Sequence, residues 1–402
     1  MTFGKLKSTA GLDLKGKRVL VRADLNVPVK DGKVSDATRL ERLLPGLTEL
    51  AQRGARVVVI SHFGRPQDGR DPRLSLAPVA GKLGELLGQP VAFAADCVGG
   101  SAERTVAALP PGGIAVLENL RFHKGEEEND PAFAERLAAL GDVFVNDAFS
   151  AAHRAHASTA ALAGLLPSYA GPLLLEEINA LNGVLENPKR PTAAVIGGAK
   201  VSSKIPVLKN LAGKVDTLIV GGGMANTFLL AQGCKIGTSL AEPDLAQTAL
   251  EIIGAAKERR CQVLLPDDVV VAERLAAGVT ARTVPALETP ADQMILDVGP
   301  KTVARYSGVI EGAKTLLWNG PLGAFEVEPF ARGTIALARA VAKLTKAGRL
   351  VSVAGGGDTV AALNAAGVTE DFSYVSTAGG AFLEWLEGRE LPGIVALVQA
   401  RA

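Results

Sequence analysis

Short β-branched runs alternate with Ala/Leu-rich stretches of helical period along this whole chain, and that alternation leaves few folds open. Strands separated by helices pair in parallel, because the chain must cross back over the sheet before the next strand starts. The candidate strands of the first half are RVLVRADLNV (18–27), ARVVVISHF (55–63), VAFAADC (91–97), GIAVLENLRF (113–122) and DVFVNDAF (142–149). Those of the second half are TAAVIGGAKV (192–201), TLIVGGGMA (217–225), CQVLLPDDVVV (261–271), MILDVG (294–299), KTLLWNG (314–320), RLVSVAGGG (349–357) and FSYVSTAGG (372–380). Between the sets, Leu174, Ile178, Leu181 and Leu185 recur at helical spacing, and Pro188 and Pro191 follow as stops, so 173–191 reads as a bridging helix. The expected fold is α/β: two doubly wound parallel-sheet lobes, each a Rossmann-like three-layer αβα stack, joined by that helix with a cleft between them.

Length agrees, since 402 residues exceed one ordinary core and two domains are the natural division. The 43 basic and 42 acidic residues balance, so bulk charge recommends neither nucleic acid nor a membrane surface as a partner. Cys97, Cys234 and Cys261 are odd in number and far apart, without CxxC spacing. That argues against a disulfide framework or a zinc site and fits a reducing compartment. The N-terminal stretch has no apolar h-region and no run is long enough to span a bilayer, so a cytoplasmic protein is expected.

Open α/β sheets bind ligands at the carboxyl ends of their strands. In the first half those ends carry Arg22, Asp24 and Asn26, then His62 and Arg65, Asn119 and Arg121, and Asn146 and Asp147, with His153-Arg154-Ala155-His156 close behind. In the second half they read GGAK, GGGM, DVG, WNG, GGGD and TAGG. Guanidinium forks suit a small, highly anionic molecule. Glycines let backbone N–H groups approach the phosphates of a nucleotide, with a helix N-terminus aimed at the same charge. In AGGGDT (354–359), Asp358 is placed to hold the Mg²⁺ that nucleotide phosphates bring. Two anionic substrates on two lobes imply transfer of a group between them, and a phosphoryl is the group that fits.

The strings RADLNVP (22–28), SHFGRP (61–66), LENLRFHKGEE (117–127), NDAFSAAHRAHAS (146–158), GGAKVSSKI (197–205), GGGMANTFL (221–229), WNGPLGAFE (318–326) and AGGGDT (354–359) together resemble phosphoglycerate kinase in order and spacing across nearly the whole chain. The resemblance implies a 3-phosphoglycerate domain over 1–172, rejoined by 389–402, a hinge over 173–191, and a Mg-nucleotide domain over 192–388. In the first, Asp24 and Asn26 match positions holding the hydroxyl and carboxylate end of the substrate. Arg39, His62, Phe63, Gly64, Arg65, Arg121 and Arg154 match its surroundings. In the second, Lys200 and Lys204, Asn319, Glu326 (at the ribose), Gly356, Gly357, Asp358 and Thr359 match the ATP/ADP site, with Asp358 on the metal. Arg39 and Lys200 are implied as the catalytic pair. The family implies a monomer acting on 3-phosphoglycerate or 1,3-bisphosphoglycerate. His123 and Trp318 read as structural. Two positions depart from the family pattern: Ile295, where glycine is common beside the adenine pocket, and Ser203, where aspartate is common.

Three other readings fit less well. VGGGMAN supplies G-x-G, but Asn226 stands where a dinucleotide fingerprint needs a third small residue. GLDLKGKR has P-loop spacing but ends in arginine and precedes its strand. A two-lobe periplasmic-type binding protein shares the architecture but calls for a signal peptide.

Overall fold

The computed structural model describes residues 6–67 and 69–400. They form two compact units, one comprising the residues up to Ile178 with the segment from Glu390, the other Asn179–Arg389.

The first unit is built on a six-stranded parallel sheet in the order Val91–Ala94, Ile114–Leu117, Arg56–Ile60, Arg18–Arg22, Val143–Asn146, Ser168–Ala170. Its strands are apolar on both faces because both are covered, which is why they read as continuous runs. Val19, Val21, Val57, Val59, Ile114 and Val116 share one core with the buried stripes of the helices Thr38–Gln52 and Ala77–Leu87. The first strand lies inside the sheet. The chain pairs the next strands to one side of it and Val143–Asn146 to the other, so the strand order reverses there and opens a crevice at the carboxyl ends.

The second unit repeats the plan with Gln262–Leu264, Thr217–Val220, Thr192–Ile196, Thr315–Asn319, Val351–Gly355, Tyr374–Ser376 in that order, all parallel. It adds a three-stranded antiparallel sheet of Arg282–Pro285, Asp268–Ala272 and Met294–Val298. Here the sequence reading needs correction. CQVLLPDDVVV is two strands in two sheets, broken around Pro266, which has no N–H to continue the ladder. MILDVG pairs antiparallel in the small sheet, and the strands Arg282–Pro285 and Ser168–Ala170 were not foreseen. Ile295 packs against the small core of Leu229, Val269 and Val271.

Several helices are held by carboxylates from distant strands. Asp147 accepts N–H bonds from Leu173 (2.7 Å) and Leu174 (3.1 Å), capping the helix Pro172–Leu185. That helix is the bridging element, and it ends well before Pro191. Asp268 accepts from Lys301 and Thr302 at the start of Pro300–Gly312, and Asp297 from Gly333 in Arg332–Lys346. The last helix, Pro392–Gln399, buries Leu391, Ile394 and Leu397 within the first unit, and the Gly393 N–H donates to the Ala152 carbonyl at 2.9 Å. A Cβ on Gly393 would meet the Ala152 backbone at 3.0 Å, so the contact is close.

Two outcomes follow. Ile394→Ala should cost about 2–5 kcal/mol in denaturant unfolding, whereas the exposed Val398→Ala should stay within about 0.5 kcal/mol. Equal effects would mean that the last helix is not docked. The second concerns Asp147, whose carboxyl burial pushes up to about 7 against the pull of its two backbone donors. The unfolded chain ionises this group near pH 4. Its contribution to stability is therefore complete below about pH 4 and lost as the pH rises through about 7. Asp147→Asn keeps the acceptor without the charge. Its unfolding free energy should fall less steeply over that window than the wild type's, by up to about 1.4 kcal/mol per pH unit. Parallel pH profiles would show that the carboxyl titrates normally.

Candidate active site

At the carboxyl edge of the first sheet, the loop after Arg18–Arg22 folds back on itself. Asp24 Oδ1 accepts the Asn26 N–H at 3.0 Å, and its other oxygen takes the Ser150 hydroxyl at 2.5 Å. Asp24 also pairs with Arg39 at 3.2 Å, and Arg39 donates to the Asn26 carbonyl at 2.7 Å. Arg39 sits in the first turn of its helix, where a cation is unfavourable against the helix dipole. Asp24 and the Asn26 carbonyl hold it there.

Asn26 Oδ1 accepts the Gly64 N–H at 3.0 Å, and the Gly64 carbonyl accepts from Arg121 at 2.7 Å. Gly64 has φ +60° and no space for a side chain, since a Cβ would meet Leu74 at 2.7 Å. Phe63 turns its ring into the core, with its backbone N–H and C=O both bound to the Asn119 amide. Arg121 is also paired with Glu127 at 3.2 Å. Arg65 and Arg154 are exposed, and neither pairs with a carboxylate among the described residues. Arg154 donates to the His153 ring at 3.2 Å. Burial first, then the charges of Arg154 and Arg65 partly offset by Glu127, lowers the Arg121 pKa.

His62 explains more than its sequence position could. Its Nδ1 lies 3.0 Å from Arg22 Nη2. A guanidinium can only donate, so Nδ1 is the acceptor and the ring proton resides on Nε2. Burial, then Arg22 and Arg121, push the His62 pKa down to about 2, which keeps the imidazole neutral. His156, buried nearby, is pushed down to about 4 by burial and the same arginines.

Arg22 itself is 1% exposed. It donates to Ser158 at 2.9 Å and to the Ala23 carbonyl at 2.6 Å. Ser158 donates to the fully buried Glu126 at 2.6 Å, and Glu126 also accepts the Ser158 N–H at 3.0 Å. Sequence reasoning placed Arg22 at the strand end but missed Glu126 and Ser158, for no spacing pattern links residues so far apart. Asn146 and Asp147 belong to the scaffold, Asp147 as the helix cap described above. His123 stands apart from this cluster, stacked on Phe133 with ring centroids 5.2 Å apart.

In the second unit the glycine-bearing loops pack backbone to backbone. A Cβ on Gly197 would collide with the Pro321 carbonyl, and one on Gly222 would meet the Gly198 carbonyl at 2.6 Å. Gly356, at φ +97°, leaves 2.6 Å between such a Cβ and the Asn319 amide nitrogen. Around Gly357, by contrast, a Cβ would meet nothing within 4 Å, so the start of the helix Gly357–Ala366 is open. Lys204 donates to Asn319 Oδ1, whose amide donates to the Gly355 carbonyl at 2.7 Å. Burial lowers the Lys204 pKa, and the charges of Asp358 and Glu387 act against it. Thr359 is buried and accepts the Gly320 N–H at 2.7 Å.

Asn319 and Thr359 thus tie neighbouring strand ends together, while Lys204, Gly357 and Asp358 gather around them. Lys200 and Glu326 are exposed, and the Lys200 carbonyl accepts the Ser203 hydroxyl at 2.8 Å. Trp318 is buried, with its indole N–H on the Gly320 carbonyl at 2.8 Å and its ring tilted against Phe372. Asp358 is an exposed carboxylate in the first turn of a helix, without an ion pair among the described residues. One such oxygen donor beside the open helix start at Gly357 suits Mg²⁺, which takes one or two carboxylates and completes its shell with phosphate and water.

Comparison with known proteins identifies the family. The profile described as Phosphoglycerate kinase matches residues 9–389. A phosphoglycerate kinase of Methylorubrum extorquens is 61% identical over 384 residues, covering 96% of each chain. That of Mesorhizobium japonicum is 60% identical over 382 residues, 95% of this chain and 96% of its own. Among solved structures, phosphoglycerate kinase from Coxiella burnetii superposes with a TM-score of 0.92 at 46% identity, covering 99% of this chain and all of its own. The Pyrococcus horikoshii OT3 enzyme gives 0.80 at 31% identity, over 98% of both chains. With strand-end chemistry, fold and near-complete coverage in agreement, the chain belongs to the phosphoglycerate kinase family.

Proposed function

We propose a division of labour for the reaction of this family, the reversible transfer of a phosphoryl group between 1,3-bisphosphoglycerate and ADP that yields 3-phosphoglycerate and ATP. The first unit holds the glycerate substrate and the second the nucleotide. The observation that carries this is the segregation of charge. Arg39, Arg65, Arg121 and Arg154 converge with neutral His62 on one sheet edge, while Lys204, Asp358 and an open helix start converge on the other. The arginine excess has too few carboxylates to neutralise it and suits a phosphate and a carboxylate on one small molecule. Nε2–H of His62 can donate to such an anion, and Asp24 and Asn26 can receive its hydroxyl.

In either direction the nucleophile is already an anionic oxygen, the carboxylate of 3-phosphoglycerate or a phosphate of ADP, so no general base is required. The remaining work is to align two anions and offset the charge on the migrating phosphoryl. Arg39 does this from the first unit, Lys200 from the second, and Lys204 holds the nucleotide phosphates. Gly356 and Gly357 present backbone N–H groups to the same phosphates, and Glu326 meets the ribose. Asp358 would hold Mg²⁺, which supplies further neutralisation of the phosphate oxygens. Transfer requires the two anions to meet with water excluded, so hinge closure about the bridging helix belongs to this reading. Among the described residues no helix is long and apolar enough to cross a membrane; a cytoplasmic monomer acting on small molecules belongs to the same reading.

A coupled assay of ATP formation, combined with calorimetry of each ligand, tests the scheme. Arg39→Ala should lower kcat by about 10³-fold or more and leave the nucleotide Kd near its wild-type value; undiminished turnover would remove Arg39 from the chemistry. Asp358→Ala should weaken Mg-nucleotide binding and leave 3-phosphoglycerate binding intact. If both ligands weakened together, the assignment of one ligand to each unit would fail.

A further inference from the structure

The sequence offered no metal-ligand spacing around its cysteines, yet the fold of the first unit assembles a mixed ligand set. Asp96 and Cys97 follow the edge strand Val91–Ala94, and His123 follows the turn Leu120–Phe122 after the neighbouring strand. Parallel pairing of those strands brings residues 26 positions apart to one place. A carboxylate oxygen, Sγ and an imidazole nitrogen of the three all lie within 4.8 Å of one another, the one such group among the described residues. His123 Nε2 already touches Asp96 Oδ1 at 2.7 Å. None of the three belongs to the anion cluster, and the phosphoryl-transfer scheme uses none of them.

We propose that Asp96, Cys97 and His123 form a site for one divalent transition metal ion of the Zn²⁺ class, open to solvent in its fourth position. Sulfur and imidazole donors favour such ions over the hard Mg²⁺ that accompanies the nucleotide. The ligands are oriented in advance, as metal-binding side chains require. His123 is stacked on Phe133, with an interplanar angle of 25°. Asp96 Oδ1 is pinned by the Cys97 N–H at 2.7 Å, which leaves Oδ2 free to ligate. Cys97 is fully buried, while the side chains of His123 and Asp96 are 28% and 38% exposed. The ion therefore enters from the His–Asp side, with the sulfur beneath it and water opposite. It takes the place of the His–Asp hydrogen bond: the imidazole proton moves through solvent from Nε2 to Nδ1, and the thiol gives up its proton to solvent. Binding thus releases one proton per ion and involves no change of oxidation state.

Co²⁺ is the probe, because a thiolate ligand gives it a charge-transfer band in the near ultraviolet. Titrating the reduced, full-length protein in metal-free buffer should give a 1:1 complex with that band, one proton released per ion, and no displacement by excess Mg²⁺. Cys97→Ser should abolish the band, and both Cys97→Ser and His123→Asn should weaken binding by at least the roughly 10- to 100-fold that loss of a group merely orienting a ligand costs. Cys234→Ser and Cys261→Ser should leave both unchanged. Cys97→Ala provides a second test without a buried hydroxyl, with its unfolding midpoint checked against the wild type. The proposal is overturned if stoichiometric Co²⁺ gives no thiolate band, if the band survives in both Cys97 variants, or if it vanishes instead with Cys234 or Cys261.

Discussion

The guanidinium of Arg22 lies out of water in the middle of the first unit, and the polar order around it follows from keeping that charge satisfied. Taking an ion of this size out of water costs several kcal/mol, recovered only when every donor finds an acceptor and an opposite charge stands near. Ser158 accepts from Nε, the Ala23 carbonyl from Nη1 and His62 Nδ1 from Nη2, while Glu126 supplies the opposite charge through Ser158. Four segments of chain are thereby locked together: the central strand, the end of its neighbour, the turn holding Glu126 and the loop at 158. Removing one partner would strand a buried charge, a loss of about 3–5 kcal/mol for such pairs. The same arrangement fixes the His62 tautomer, so a device that stabilises the fold also decides which ring nitrogen carries the proton.

The second unit builds its strand ends by the opposite route. Its loops approach so closely that side chains would collide, as at Gly197 against Pro321 and Gly222 against Gly198, and the short Asn319 and Thr359 side chains knit the strand ends. Gly197 and Gly222 therefore serve loop packing. Gly357 is different, since the space beside it is open. Buried carboxylates play a third part in both units, with Asp147, Asp268 and Asp297 each closing the start of a helix remote in sequence. Such caps set helix positions from the strands, and the helix starts are what an α/β site presents to its ligands.

The alternation of strands and helices, the two-unit plan and the division of arginine from glycine were all legible in the chain, because apolar periodicity and the chemistry of strand ends are local properties. Most predicted strands begin within a residue or two of their true starts but run too far at the other end. RVLVRADLNV leaves the sheet after Arg22, since an apolar or β-branched residue does not reveal where its partner strand stops. Pro266 was visible, but not that it hands the chain from one sheet to another. Asp147 looked like a binding residue because it stands at a strand end; only the helix packed above it makes it a cap.

What the sequence determined by itself was which groups would be available: the cations, the glycines, the carboxylates and the apolar faces that force them to the sheet edges. Tertiary structure decided which of them meet. The pairing of Arg22 with Glu126 through Ser158, the proton on Nε2 of His62, the Lys204–Asn319 contact and the meeting of Asp96, Cys97 and His123 all depend on strand register and on desolvation. Burial changes the energy of a charge by an amount comparable to the stability of a domain. It is fixed only when distant segments close over the same point, and no local pattern of residues records that.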